Sequence, residues 1–402
     1  MKFFIINSGS SSIKYQVIEM ATETVLATGL VERIGDETGR VKNTFFPGTG
    51  RERESVLEQP IPDHDRGMRL VIGLLTDQQQ GVIGDTSEIA AIGHRVVHGG
   101  EDFRASTLIT PAILEAIKRN IPLAPLHNPA NLDGIRVARE IFPSVPQVVV
   151  FDTAFHQTMP PRAFMYALPY ALYEQDRVRR YGFHGTSHRF VAGECARLLA
   201  KPLDECNLIT VHLGNGCSMT AIAGGVSVDT SLGMTPLEGL VMGTRSGDVD
   251  PALHLFLKQN KGMDLEAIDA LLNKESGLKG LCGMNDMRDI HRAAEGGDTR
   301  AALALSVQTY RNRKYIGAYM AVLGRVDAIV FTAGIGENDA IVRAESLKGL
   351  ELFGVGLDAE KNGARSREAR CISGADSRVK VFVIPTNEEL AIAREVGTVI
   401  GG

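Results

Sequence analysis

"IINSGSSSIKYQV", Ile5 to Val17, decides how the N-terminal part of the chain folds. Apolar residues suited to strands flank six small polar residues, Asn7 to Ser12. Such a pattern reads as two strands joined by a tight loop. The loop has two possible uses. It is a plain surface hairpin turn, or a cradle in which successive small residues let backbone N–H groups converge on an anion, with Ser hydroxyls and Lys14 as further donors. On composition alone the plain turn is the simpler reading.

A second stretch has the same form. "CNLITVHLGNGCSMTAIAGGVSVDTS", Cys206 to Ser231, runs from a buried strand through a Gly/Asn/Ser turn into another strand, as "FFIINSGSSSIKYQVIEM", Phe3 to Met20, does. Between and beyond the two copies the pattern alternates. "IAAIGHRVVHGG" (Ile89 to Gly100) and "SVPQVVVFDTAF" (Ser144 to Phe155) read as buried strands. "PAILEAIKRNI" (Pro111 to Ile121), "NLDGIRVAREIF" (Asn131 to Phe142) and the stretch Ala302 to Gly324 have helical spacing of apolar residues. This is an α/β chain with a weak internal duplication near half its length. Two similar α/β domains facing each other across a cleft are expected, and ligands favour such interfaces. The charge-rich segment Gly35 to Gly67 reads as an exposed excursion from the first domain.

Bulk properties bound the function. A chain of 402 residues exceeds what one core usually holds, which implies two domains. The formal net charge of -5 argues against a nucleic-acid or anionic-membrane binder, which would show a basic face. Five dilute cysteines without a CxxC pair make a disulfide framework or zinc site unexpected, and a reduced cytoplasmic compartment fits. The apolar run Phe3 to Ile6 is too short for a signal or a membrane span.

Candidate chemistry gathers in loops after buried strands. "TAGIGEN", Thr332 to Asn338, follows a buried strand and reads as opening a helix, a place where amides can meet a nucleotide. It is not a dinucleotide fingerprint, because Asp339 stands where the third Gly would be, and the chain has no "GK" pair for a Walker loop. His94, Arg95 and His98 lie in "GHRVVHGG"; Asp152 and His156 in "VVVFDTAFH"; His184 and His188 in "RYGFHGTSHRF"; Arg245, Asp248 and Asp250 in "TPLEGLVMGTRSGDVDP". A lone histidine is ordinarily structural and a lone arginine ordinarily a solvated ion pair. Arg95 and Arg245, however, sit in apolar, Gly-rich stretches, and guanidinium forks suit carboxylates and phosphates. Asp152 closes "QVVVF", a strand-end position suited to magnesium or polar catalysis. Glu388 and Glu389 read as first-turn complements to a helix dipole.

"NSGSSSIKY", "GHRVVHGG", "FDTAFH", "YGFHGTSHR", "HLGNGCS", "DTSLGMTPLEGLVMGTRSGDVDP", "GIGEN" and "PTNEEL" occur in the order seen in acetate kinases, over essentially the whole chain. The sequence resembles that family, part of the acetate and sugar kinase, Hsp70 and actin superfamily. The resemblance implies two duplicated actin-like (ribonuclease H-like) α/β domains flanking a nucleotide cleft. These would be residues 1–152, completed by a C-terminal helix of about 388–402, and residues 153–387, which would carry the nucleotide site and a homodimer interface. It implies reversible, magnesium-dependent (or manganese-dependent) transfer of phosphate from ATP to acetate, giving acetyl phosphate and ADP. At matching positions, Asn7 and Glu388 would be metal-associated, and Ser10, Ser12 and Lys14 would serve the phosphates. Arg95 would bind the acetate carboxylate, with Val97, Leu126, Phe183 and Pro236 around its methyl group. Asp152 would be the acid/base residue, His184 and Arg245 transition-state stabilisers, and His127 a neighbour of the phosphoryl path. His212, Leu213, Gly214, Asn215 and Gly216, then Asp286, Met287 and Arg288, then Gly334, Ile335, Gly336, Glu337 and Asn338 would bind the nucleotide. Two other readings stand beside this one: a propionate-preferring kinase of the same family, and a non-catalytic actin-like or Hsp70-like nucleotide switch.

A carboxylate nucleophile has a pKa of about 4–5, like a Glu side chain, and carries no proton at neutral pH. Asp152 is therefore expected mainly to orient Arg95, a magnesium-bound water or both, with no obvious need for a base.

Overall fold

The computed structural model describes residues 1–401 other than Leu126. The chain divides into two compact units, Met1–Ala154 with Asn387–Gly402, and Phe155–Thr386.

The first unit is built on an eight-stranded sheet. Its strands are β1 (Lys2–Ser8), β2 (Ser12–Glu19), β3 (Thr24–Glu32), β4 (Gly39–Phe45), β5 (Arg53–Gln59), β6 (Ile89–Val96), β7 (Thr107–Leu108) and β8 (Gln147–Phe151), in the order β5-β4-β3-β2-β1-β6-β8-β7. β1 is antiparallel to β2 and parallel to β6, and β6 is parallel to β8. The opening stretch is thus a hairpin, closed by the Gly9 N–H donating to the Ser12 carbonyl at 2.7 Å.

Strand alternation decides which helices cover which face. Phe4 and Ile6 pack with Met68, Val71 and Leu75 of α1 (His64–Leu75) and with Val137 and Ala138 of α3 (Asn128–Ile141). Phe3 and Ile5 point the other way, onto Ile392, Ala393 and Val396 of the C-terminal helix Glu388–Gly401. Helices on both faces explain why β6 and β8 are buried through most of their length. Gly93 lets that terminal helix approach, since a Cβ there would lie 2.8 Å from both Ile392 and Val396. Asn387 caps the helix, its Oδ1 accepting from the Leu390 N–H at 3.0 Å.

The segment Gly35 to Gly67 differs from the expected excursion. It supplies β4 and β5, which extend the sheet. Val41 and Phe45 are buried, and between them buried Asn43 accepts a hydrogen bond from the Tyr15 hydroxyl at 2.6 Å. A polar residue in the inward row hid the strand.

The second unit has six strands: β9 (Asn207–Leu213), β10 (Cys217–Ala223), β11 (Val226–Thr230), β12 (Ala328–Thr332), β13 (Arg370–Cys371) and β14 (Lys380–Val383), ordered β11-β10-β9-β12-β14-β13. Its first five repeat β3-β2-β1-β6-β8, three antiparallel strands followed by two parallel additions. The duplication read from the two loops is therefore a duplication of topology. Helix Gly185–Leu198 packs Val191, Ala192 and Cys195 on one face, and the long helix Thr299–Leu323 contacts β9 and β10. No helix among the described residues is long and apolar enough to cross a membrane.

Two buried histidines make stability depend on pH. His94 bonds Gln147 across neighbouring strands at 2.9 Å in the first unit. His156 in the second unit bonds the Ser227 hydroxyl and the Phe183 carbonyl, each at 2.9 Å. Burial pushes each from 6.5 down to about 4. As pH falls below 6.5 the unfolded chain gains a proton at each site and the folded chain does not until about pH 4. Each should then remove about 2 kcal/mol of stability between pH 7 and pH 5. Urea unfolding of a His94→Gln variant should show a smaller loss over that interval; an unchanged loss would contradict the assignment.

Candidate active site

Each unit gathers its own set of polar groups where its central strands end. In the first unit Arg95, near the end of β6, reaches Asp152, the residue after β8. The guanidinium donates Nε to Oδ1 at 2.8 Å and Nη2 to Oδ2 at 2.5 Å, a two-pronged fork on the carboxylate. Asp152 is 2% exposed and the Arg95 side chain 20%. Glu388, first in the terminal helix, places Oε2 3.9 Å from Arg95 Nε. Burial pushes the Asp152 carboxyl up, and the charge and hydrogen bonds of Arg95 pull it back only in part. Burial works against the Arg95 charge too, but Asp152 and Glu388 outweigh it and hold Arg95 above the ordinary guanidinium range. His127 is exposed, and its charge also lowers Asp152.

The opening loop lies in the same unit. Ser10 and Lys14 are exposed and Asn7 and Ser12 half-buried, and none of these four side chains makes a hydrogen bond among the described residues. What holds the loop is α3. Asn131 Nδ2 donates to the Ser8 carbonyl at 2.6 Å while its Oδ1 accepts from the Val97 N–H at 3.1 Å. Asn128 grips His98 in the same way, through its N–H at 3.2 Å and its carbonyl at 2.9 Å. Gly134 leaves room for Ser8, whose Oγ lies 2.1 Å from where a Cβ would stand. These clamps join the phosphate-loop candidate to the Arg95 loop, and the sequence reading missed them. The signal was present: Asn128 and Asn131, three apart, lie on the buried face of α3. Val97 is half-buried beside them. Leu126 lies outside the described residues.

In the second unit His184 and His212 stack, centroids 4.2 Å apart and planes 19° from parallel. His184 is held at φ 56, a left-handed conformation unusual for histidine and typical of functional positions. Arg245 Nη1 donates to the Pro236 carbonyl at 2.6 Å. A Cβ on Gly216 would stand 3.1 Å from Arg245 Nη2 and 3.5 Å from His184 Nε2, so both groups border one spot above that glycine. Phe183 is buried and Pro236 half-buried. Arg245 makes no ion pair with Asp or Glu among the described residues, unlike Arg180 with Glu238 at 2.5 Å or Arg311 with Asp248 at 3.3 Å.

The three nucleotide-segment candidates are neighbours within this unit. β9 and β12 run parallel with His212 opposite Thr332, which sets the turn Gly214–Gly216 beside Ala333. Residues Ala333–Asn338 do not merely open a helix; they form a short one themselves, entered through Ala333 at φ 65. His291, in helix Met287–Glu295, bonds Asp339 at 2.6 Å and draws the Asp286–Arg288 segment to that turn. Asp286 caps this helix, and its bonds to the Arg288 side chain and N–H hold its carboxyl down to about 2. Buried Arg343 donates to the Gly336 and Glu337 carbonyls at 2.9 and 3.0 Å and steadies the same turn. Sequence reading missed both: His291 acts through Asp339, 48 residues on, and Arg343 is a buried cation whose backbone partners show only in the folded turn.

Residues 2–394 match the acetokinase family. The chain belongs to that family. The acetate kinase of Desulfotalea psychrophila is 62% identical to this acetokinase over 100% of both chains. That of Oleidesulfovibrio alaskensis is 58% identical, again over the full length of both. Among solved structures, Porphyromonas gingivalis acetate kinase superposes with a TM-score of 0.94 at 44% identity, covering 99% of each chain. A propionate kinase from Francisella tularensis gives 0.91 at 42% identity, with the same coverage. This acetokinase is therefore an enzyme, a kinase of the acetate kinase type with the duplicated α/β fold.

Proposed function

We propose that this acetokinase transfers the γ-phosphoryl group of ATP to acetate, reversibly, by direct in-line attack of the carboxylate, giving acetyl phosphate and ADP. The observation that carries the reading is the full-length likeness to acetate kinases at 62% and 58% identity. Acetate and the γ-phosphate are both anions, so the dominant catalytic terms are positioning and charge neutralisation. The first unit offers Arg95 for the carboxylate, and Ser10, Ser12 and Lys14 for phosphate oxygens. The second offers Arg245 and His184 for charge developing on the transferred group, and the segments at His212–Gly216, Asp286–Arg288 and Gly334–Asn338 for the nucleotide. Asp152 fixes the Arg95 fork, as their paired hydrogen bonds suggest. The same residues serve the reverse reaction.

The donors at Asn7 and Glu388 suit magnesium. An amide and a carboxylate oxygen are hard ligands, and magnesium is commonly held by one or two carboxylates together with substrate phosphates. Asn7 and Glu388 would hold it, and when bound it would neutralise phosphate charge.

We also propose a cytoplasmic homodimer formed through the second unit. Exposed Leu255, Phe256, Leu303 and Tyr310, all on helices of that unit, support the interface, and five free thiols support a reducing compartment.

The propionate kinase neighbour keeps a second substrate in view. One methylene in an apolar pocket changes binding by only about 1–3 kcal/mol. Initial rates with acetate, propionate and butyrate should give kcat/KM highest for acetate, with each added methylene lowering it by about tenfold or more. A higher value for propionate would reassign the substrate.

A further inference from the structure

His184 does not stand alone. Its Nδ1 lies 2.8 Å from Ser218 Oγ, which lies 2.7 Å from His188 Nε2, and His188 Nδ1 lies 2.7 Å from Thr210 Oγ1. Ser218, His188 and Thr210 are all fully buried on β10, helix Gly185–Leu198 and β9. These three side chains are therefore shut off from bulk water, and only His184 is half-buried. We propose that Thr210, His188 and Ser218 are positioning residues that fix His184 as the tautomer carrying its proton on Nε2, the nitrogen bordering Gly216 and Arg245.

The direction follows from counting hydrogens. Burial pushes the His188 pKa well below the ordinary range, so His188 is neutral, with one N–H and one lone pair. A hydroxyl has one hydrogen to give. If both histidines donated to Ser218, its buried hydrogen would have no acceptor, so Ser218 donates to one and accepts from the other, and the chain runs in one of two ways. In one, Thr210 donates to His188 Nδ1, His188 Nε2 donates to Ser218, and Ser218 donates to His184 Nδ1. In the other, every donor is reversed, His184 carries its proton on Nδ1, and Thr210 only accepts. The Thr210 hydroxyl has no other partner among the described residues. The reversed chain would therefore leave its hydrogen buried and unbonded, which is costly. The first direction satisfies every donor of the three buried side chains, and it turns the N–H of half-buried His184 towards the side where Arg245 Nη2 also points.

The same logic gives the device a purpose. A transition state that gains negative charge is stabilised by a donor already in place, without reorganisation at the moment of reaction. A histidine with its proton on Nδ1 would present a lone pair there and repel that charge.

The claim rests on the proposed role of His184 in phosphoryl transfer, and its test reads the tautomer separately from the rate. The enzyme is labelled with 15N-histidine, the His184 ring signals are assigned with a His184→Gln variant, and the protonated nitrogen is read from long-range 1H–15N spectra. Native enzyme should show His184 protonated on Nε2. Thr210→Val, which keeps the shape and removes the hydroxyl, should admit the other tautomer and lower kcat about two- to fivefold with unchanged KM values. Thr210→Ser should restore both. Ser218→Ala, which uncouples His184 from the chain, should lower kcat by about tenfold. An Nδ1-protonated His184 in native enzyme would overturn the chain, and that reading needs no variant. A tautomer that shifts in Thr210→Val while kcat stays native would overturn the positioning claim by showing that the His184 proton is not used in the reaction.

Discussion

Replacing Arg95 with alanine should lower kcat/KM for acetate by about 10²–10³-fold and should also destabilise the first unit by about 3–5 kcal/mol. Both effects come from one pair. Asp152 is 2% exposed, and its two oxygens are met by the Arg95 fork at 2.8 and 2.5 Å. Without the guanidinium the carboxylate is left buried with its compensating charge removed, and acetate would lose the cation proposed for it. Arg95→Lys should not rescue the activity, because an ammonium cannot make the two parallel bonds. Asp152→Asn separates the roles. If Asp152 orients Arg95, that variant should raise KM for acetate and loosen the guanidinium without adding or removing an ionisation in the pH profile. A kcat that follows a carboxyl titration in the native enzyme, lost in Asp152→Asn with acetate affinity intact, would restore Asp152 as a base. Thermal and urea unfolding alongside kinetics checks the stability arm; an Arg95→Ala enzyme with native stability and kcat/KM within tenfold would contradict the account.

Arg245→Ala should have the opposite balance, a large loss of turnover with little loss of stability. Arg245 bonds the Pro236 carbonyl at 2.6 Å and has no acidic partner among the described residues, so its removal strands no carboxylate. Burial lowers its pKa, yet a guanidinium starts so high that it stays charged at neutral pH. A partly desolvated cation without an ion-pair partner is suited to an anion that arrives with the substrate. Removing a preorganised donor or an arginine at a phosphoryl group costs about 10²–10³-fold or more in kcat. The expected result is therefore a fall of about 10³-fold in kcat, KM for ATP within a few-fold, and an unfolding midpoint close to native. Turnover within tenfold of native would remove Arg245 from the catalytic set.

The parts of the molecule that were legible in the sequence are those written in local periodicity. The hairpin of β1 and β2 shows as two apolar runs around a Gly/Ser loop, and its echo in β9 and β10 showed the duplication. Arg95 and Asp152 stood out because charged residues sat at the ends of apolar runs. Their pairing was expected from the chemistry of a carboxylate nucleophile and not from spacing, since it depends on residues 57 apart becoming neighbours. The strands β4 and β5 were hidden by Asn43, a polar residue whose place in the core is secured by a tyrosine from another strand. The α3 clamps at Asn128 and Asn131 were hidden because buried asparagines look like surface residues until their backbone partners are known. The same holds for Thr210, Ser218 and His188, which read as ordinary strand and helix residues and become a directed chain only when their partners are counted.

The central claim is phosphoryl transfer to acetate, and one measurement reaches it most directly. Purified enzyme with ATP, magnesium and acetate is incubated with hydroxylamine, which traps acyl phosphate as the hydroxamate. The account predicts acetyl hydroxamate formed in step with ADP, with no product when acetate is omitted and about 10³-fold slower formation by Arg245→Ala. ADP released without any hydroxamate from acetate, propionate or butyrate would contradict it and leave a nucleotide switch in its place.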